Sequence, residues 1–118
     1  MRRRLLRVND LLKREISDLV ARQLKDPRLA SMVTVTDVET SQELRHARVF
    51  VSVMGTQEEK DAALLGLRSA TRFLRHELGE RLDLKRVPDL TFAPDESLER
   101  GARILAILDH VAAEGGGQ

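Results

Sequence analysis

The chain has 118 residues, which is enough for one domain and too few for two. Apolar residues make up 42% of it and charged residues 33%, with a net charge of +1, which excludes a disordered chain and a membrane-spanning one. It contains no cysteine and only three phenylalanines among Phe, Tyr and Trp, which excludes disulfides, cysteine–zinc sites and an aromatic base-stacking platform.

The first predicted element is an amphipathic helix over residues 5–25. Lysines and arginines occupy much of its polar surface, and the helix is expected to stop near Asp26, because Pro27 disfavours helical geometry in the residue before it. Its apolar side chains recur at the three- to five-residue spacing of one helix face, at Leu5, Val8, Leu12, Ile16, Leu19 and Leu24.

Two strands that pair as an antiparallel hairpin are predicted next. The segment 33–38 is short and rich in β-branched residues. In the segment 46–53, Ala47 and three valines alternate with mostly polar residues. The stretch between them, residues 39–44, is short and mostly polar. The alternation places Phe50 on the face opposite the valines, where it either contacts a ligand or packs under a helix or tail.

A helical pattern follows, and it is too long to be one helix of a small domain. Thr56 and Glu59 form a capping-box pattern at its start, and a continuous helix from there over residues 57–83 would be about 40 Å long. Gly66 and the run Ser69-Ala70-Thr71 weaken helix propensity, and the run offers a new N-cap. We therefore predict two helices, over 57–68 and 71–82, joined by a sharp bend.

The last predicted elements are a strand and a helix. Residues 87–93 form the strand, with Pro88 at its start, and Asp95 or Ser97 caps the final helix. The predicted class is α+β: a three-stranded sheet with helices mainly on one face, in one domain over residues 1–113 with a flexible glycine-rich tail, 114–118. The buried face of the final helix is expected to carry Leu98, Ala102, Leu105, Leu108 and Ala112.

Charge is unevenly distributed along the chain. Residues 1–28 hold nine lysines and arginines against four acids, and residues 67–88 hold six against three. Residues 29–66 and 89–118 are acidic, with net charges of −3 and −4. A fold that gathers the two basic segments on one side would present a surface for a polyanion, whereas solvated helix faces are the simpler interpretation.

The candidate RNA-binding side chains come from the two basic segments. Arg68, Arg72 and Arg75 stand at i, i+4 and i+7, and no acid lies three or four residues from any of them. Partners from another element remain open for these three, while Glu77 is expected to pair with Arg81. Lys85 and Arg86 complete the second group, and the N-terminal group, an RNA-contacting arm or an idle terminus, comprises Arg3, Arg4 and Arg7.

Enzyme signatures are missing. No glycine-rich phosphate loop follows a predicted strand, and no serine lies in a nucleophile-elbow context. We therefore expect a binding protein without metal, cofactor or small-molecule substrate, and, since no signal-peptide-length apolar run follows the N-terminus, a cytoplasmic one. The alternative is a protein–protein adaptor that binds a basic partner through the last helix and through Glu58, Glu59 and Asp61. A small hydrolase subunit is the weakest interpretation.

Seven short strings, in order from residue 7 to residue 97, resemble the bacterial ribosome-binding factor A family. Each is weak alone, and their shared order and spacing make the resemblance specific. They are Arg7-Val8, Lys25-Asp26-Pro27-Arg28-Leu29, Val35-Thr36-Asp37-Val38-Glu39, Ala47-Arg48-Val49-Phe50-Val51-Ser52, Phe73-Leu74-Arg75, Val87-Pro88-Asp89-Leu90-Thr91-Phe92 and Asp95-Glu96-Ser97.

The resemblance implies a type II KH-like domain that assists late maturation of the small (30S) ribosomal subunit. Such proteins bind the precursor particle and its 16S rRNA during 5′-end processing, and they are associated with growth in the cold. The family lacks the GxxG loop of ordinary KH domains and typically has an Ala-x-Gly kink instead. Here Ala70-Thr71-Arg72 occupies that place, so an arginine stands where the family has glycine. A monomer is favoured, since no long apolar seam appears.

Overall fold

The computed structural model describes residues 2–29, 32–82, 84 and 86–96. The predicted order of helix, strand, strand, helix, helix, strand is confirmed. The predicted C-terminal helix and the tail 114–118 lie outside the described residues. The elements are α1 (Arg2–Arg22), a short 3-10 helix (Pro27–Leu29), β1 (Met32–Thr40), β2 (His46–Met54), α2 (Gln57–Ser69), α3 (Thr71–Arg81) and β3 (Asp89–Pro94).

The sheet has the strand order β1-β2-β3, with β1 antiparallel and β3 parallel to β2. Val35 lies opposite Val51 and Asp37 opposite Phe50, so Thr36 is an extra residue in β1 that forms a β-bulge. The bulge explains why the buried valines of β1 are three residues apart. Both Val35 and Val38 face the core, although a regular strand would put them on opposite faces.

The hydrophobic core lies on one face of the sheet, beneath the α-helices of the described residues, α1, α2 and α3. The opposite face carries exposed Arg48 and Thr91 and half-buried Phe50. None of the helices that the structure describes is long and apolar enough to cross a bilayer. The fully buried core side chains include Leu12, Ile16 and Leu19 of α1, Leu67, Leu74 and Leu78 of the α2–α3 pair, and Val38, Val49, Val51 and Phe92 of the sheet.

Helix α1 ends at Arg22, three residues before the predicted end. The amides of Gln23 and Leu24 both donate to the carbonyl of Leu19, which closes the last turn. Asp26 then accepts from the backbone N–H of Arg28 and pairs with its guanidinium at 2.6 Å. The Asp26 side chain thus accepts from a backbone N–H that would bond to a carbonyl of the preceding turn if the helix continued, and this favours the end of the helix.

The bend between α2 and α3 is confirmed, but Gly66 does not cause it. Ala70 is both the last cap of α2 and the N-cap of α3, and it has no side-chain hydrogen bond; Thr71 instead donates to the Leu67 carbonyl at 3.3 Å. Gly66 lies inside α2, where an added Cβ would come within 3.3 Å of Leu29. Its missing side chain lets the 3-10 helix pack against α2.

The expected pair between Glu77 and Arg81 is wrong, because Arg81 reaches α1 instead. Its Nη1 lies 3.1 Å from Glu15 and 2.8 Å from Asp18. Hydrogen bonding from this guanidinium holds the pKa of Asp18 below its ordinary value of 3.8, and the same contacts raise the pKa of Arg81. Arg81 therefore ties the end of α3 to the middle of α1.

Replacing Arg81 with glutamine should lower the free energy of unfolding at neutral pH. In acid the substitution should have no effect on it. Because the folded-state pKa of Asp18 is depressed, the stability it contributes is present above its unfolded pKa and disappears as pH falls through the folded value. Urea midpoints of the wild type and Arg81→Gln, measured from neutral pH down to about pH 2, should converge at the acid end. A gap that is constant with pH would contradict the ion-pair explanation.

Candidate nucleic-acid interface

Of the three α-helices that the structure describes, two begin with positive charge, which is unfavourable for a helix. The first turns of α1 and α3 contain no acid; Arg3 and Arg4 lie at the start of α1, and Arg72 at the start of α3. A cation near a helix N-terminus opposes the helix dipole by about 0.3–1 kcal/mol. By contrast, α2 has two acids in its first turn and a complete capping box. Helix stability therefore does not account for these three arginines.

The start of α1 lies beside the turn that joins β1 to β2, here called the hairpin end. The Asn9 side-chain oxygen accepts from the Thr40 amide at 3.0 Å and also from the Thr40 hydroxyl. Arg4 lines a shallow depression together with Glu43 and Leu44 of the turn. The N-terminal arginines are thereby placed at one end of the sheet.

The second basic group reaches the same end, because β3 runs parallel to β2. His46 lies opposite Asp89, and the Asp89 amide donates to the Arg45 carbonyl at 2.8 Å. Arg75 contacts Asp89 at 3.3 Å, and exposed Arg86 precedes that residue by three positions. Side chains from both basic segments, residues 1–28 and 67–88, thus lie near the hairpin end.

Arg68 and Arg75 also stabilise the open edge of β3. Arg75 donates to the carbonyls of Val87 and Pro88 at 3.0 and 3.2 Å, and Arg68 donates to the Phe92 carbonyl at 3.4 Å. Within the described residues β3 is an edge strand of the sheet, so these guanidiniums cover carbonyls of its outer edge and of the two residues before it. The two arginines therefore have partners in another element, mainly backbone, and are less available to a ligand than their spacing suggests.

The other candidate arginines are more available to a ligand than Arg68 and Arg75. Arg72 and Arg86 are exposed, as are the three N-terminal arginines, and none of these five has an acidic partner within the part of the chain that the structure describes. At the kink, Ser69 is exposed, while Ala70 and Thr71 are half-buried. Lys85 lies outside the described residues. Among the candidate RNA-binding arginines, those without described partners are Arg3, Arg4, Arg7, Arg72 and Arg86.

Sequence reasoning missed the basic side chains at the hairpin turn. Arg45 lies between the two basic groups, 3.6 Å from Glu43, and the His46 Nδ1 lies 3.8 Å from Asp89. The Ser41 hydroxyl holds this turn by accepting from the amides of both Arg45 and His46. Summing charge over residues 29–66 concealed these side chains, whereas their position in a predicted hairpin turn could have identified them.

The geometry defines a class of protein. A sheet covered on one face, with the order αββααβ and a bent helix pair in place of a glycine-rich loop, is a type II KH-like domain. The sequence model of the family described as ribosome-binding factor A matches residues 4–108. The chain belongs to this family.

Relatives and solved structures agree with the assignment. The ribosome-binding factor A of Acetivibrio thermocellus is 44% identical over 114 residues, which cover 97% of this chain and 93% of the relative. That of Thermosynechococcus vestitus is 46% identical over 113 residues, covering 95% and 90%. Among solved structures, the crystal structure of ribosome-binding factor A from Thermus thermophilus matches with a TM-score of 0.70 and 30% identity, over 79% of this chain and 97% of that one.

A second Thermus thermophilus structure carries information about a partner. It is a homology model of ribosome-binding factor A fitted into the cryo-EM map of a complex with 30S. It matches this chain with a TM-score of 0.62 and 30% identity, over 75% of this chain and 91% of that one.

Proposed function

We propose that this protein binds the immature 30S ribosomal subunit through its 16S rRNA and assists late assembly and 5′-end processing without catalysing a reaction. Family membership supports the ribosomal partner, and the complex of the Thermus relative with 30S supports the small subunit in particular. On this proposal the factor acts in the cytoplasm as a monomer and needs no cofactor.

The observation that carries the RNA-binding part is the placement of arginine in the first turns of α1 and α3. Guanidinium groups match the geometry of phosphate oxygens. The positive end of the helix dipole, at the N-terminus, also attracts an anion. Bound phosphate would remove the unfavourable interaction between these arginines and the helix dipoles. Arg86 and the hairpin turn would extend the contact along the RNA backbone.

Phosphate contacts alone carry little sequence information, so the choice of particle must come from shape. A rigid domain that fits one arrangement of immature rRNA better than another shifts the population toward the arrangement it fits. The bound factor would therefore favour a particular rRNA conformation, and other components of the cell would perform the cleavage.

The adaptor alternative is less favoured, because Glu58, Glu59 and Asp61, three of the acids on which it depends, have local roles. Glu59 accepts from the Thr56 amide at 3.1 Å in the capping box, and Asp61 accepts from the Gln57 side chain at 2.9 Å. Glu58 and Glu59 also complement the N-terminal dipole of α2. Capping and contacts within α2 account for these three acids, so no basic protein partner is needed to explain them.

Sucrose-gradient sedimentation of cell extracts tests the proposal. The factor should travel with free small subunits, enriched in particles that carry unprocessed 16S rRNA, and 70S ribosomes should lack it. Sedimentation with 70S ribosomes, or only with ribosome-free protein complexes, would contradict a role in small-subunit maturation.

Binding to purified immature subunits should weaken steeply with salt. If the five candidate arginines without described partners each contact a phosphate, affinity should fall roughly a hundredfold between about 50 and 200 mM monovalent salt. Titrations of a labelled factor at several salt concentrations give the slope directly. An affinity that does not change over this range would exclude anchoring through phosphates.

A further inference from the structure

Phe73 is the most exposed aromatic side chain of the protein. The chain has no Tyr or Trp and three phenylalanines. Phe92 is 1% exposed in the core, and Phe50 is half-buried on the outer face of the sheet, whereas Phe73 is 40% exposed in the first turn of α3. Composition excludes a platform of several aromatics, but it leaves room for a single stacking contact.

Phe73 lies beside a cation and an imidazole on the surface of α3. Arg72 precedes Phe73. His76 lies three residues after Phe73 and four after Arg72, so the three side chains share one exposed strip of the α3 surface. Leu65, 54% exposed, lies eight residues earlier on α2. Further along α3, Arg75 and Arg81 pair with groups of other elements. The positive charge of α3 without a described partner therefore lies in its first turn.

We propose that Phe73 stacks on an unpaired base of small-subunit rRNA while Arg72 contacts a neighbouring phosphate. This inference rests on the proposed function and adds a base contact to phosphate anchoring. RNA recognition commonly uses an aromatic ring or a guanidinium plane against an unstacked base. The positive charge of Arg72 complements the backbone of the nucleotide that supplies the base.

The exposed strip of α3 that carries Arg72, Phe73 and His76 fits a nucleotide better than it fits an apolar protein surface. A stable protein interface buries about 800 Å² on each partner, and its centre is depleted of charge. Phe73 and Leu65 are two separated apolar side chains, with the charged Arg68 and Arg72 between them in sequence. A base requires only one ring face and one cation, which this turn supplies.

Ultraviolet cross-linking of the wild-type factor on purified immature small subunits, followed by mass spectrometry, tests the contact directly. A stacked ring and base should give a peptide that carries a nucleotide on Phe73. Phe73→Leu retains apolar volume and removes the ring, so affinity should fall roughly tenfold. Phe73→Tyr should retain wild-type affinity, and Leu65→Ala should leave affinity unchanged.

The outcomes separate this inference from the proposed function. Tight binding by Phe73→Leu with no cross-link at Phe73 overturns the stacking contact and leaves subunit binding intact. Weakened binding by Leu65→Ala, with Phe73→Leu unaffected, would indicate an apolar protein contact and also overturn it. A wild-type factor that does not bind immature subunits overturns both. Circular dichroism and thermal midpoints establish that each variant is folded.

Discussion

The double substitution Arg72→Glu and Arg86→Glu is expected to weaken binding to immature small subunits by at least a hundredfold without destabilising the protein. A hydrogen bond to a charged group contributes about 1.5–3 kcal/mol, and each 1.4 kcal/mol corresponds to a tenfold change in affinity. Each substitution removes one such contact and adds repulsion. Because glutamate suits the first turn of α3 better than arginine does, the thermal midpoint should stay the same or rise.

The matched control is Arg14→Glu with Arg22→Glu, which changes the net charge by the same amount. Both arginines lie on α1 beyond its first turn and pair with acids four residues earlier, at 3.0 and 2.8 Å. This variant should lose much less affinity, and its salt dependence should keep nearly the wild-type slope. Equal losses for the two variants would mean that net charge, and not the placement of these arginines, drives binding.

Periodicity along the sequence predicted the arginine row of α2 and α3, but it could not show which members are free. Arg68 and Arg75 donate to carbonyls of residues 87, 88 and 92, which adjoin or belong to a strand that approaches them only through tertiary packing. Replacing Arg75 with glutamate would place a carboxylate near Asp89 and those carbonyls. Arg72 and Arg86 therefore test the interface more cleanly than the complete row does.

Much of the fold followed from local patterns in the sequence. The capping box at Thr56 and the bend around Ala70 are confirmed because each depends on residues close together in the chain. Local rules failed where the cause was distant. The role of Gly66 depends on Leu29, and the partner of Arg81 lies on α1, more than sixty residues away.

The bulge in β1 is an intermediate case. The spacing of Val35 and Val38 broke the two-residue period, and this irregularity was visible in the sequence. Its consequence required the structure: the Thr36 hydroxyl donates to Asp95 at 2.5 Å and lies 3.2 Å from the Phe50 carbonyl, which fixes the end of β3 against β1. A sequence pattern can therefore mark an irregular position without identifying its partner.

The largest effect on stability is expected from Phe92→Ala. Phe92 is 1% exposed and lies on β3 opposite Val49, at the centre of the face that the helices cover. Removing a buried phenyl ring typically costs about 3–5 kcal/mol through lost burial and the cavity that remains. That is a large fraction of the roughly 5–15 kcal/mol that stabilises a domain of this kind. Urea unfolding followed by circular dichroism measures the change.

Phe50→Ala is the matched control, because it makes the same chemical change on the opposite face of the adjacent strand. Phe50 is half-buried and lies opposite Ala93 rather than a core residue. Its loss should lower the free energy of unfolding by only about 1–2 kcal/mol. Equal losses at Phe50 and Phe92 would show that both faces of the sheet are buried to a similar degree, which contradicts a core confined to the helical side. A larger loss at Phe92, with the same dependence on urea, fits a single core that sets the overall stability and leaves the outer face to contribute little.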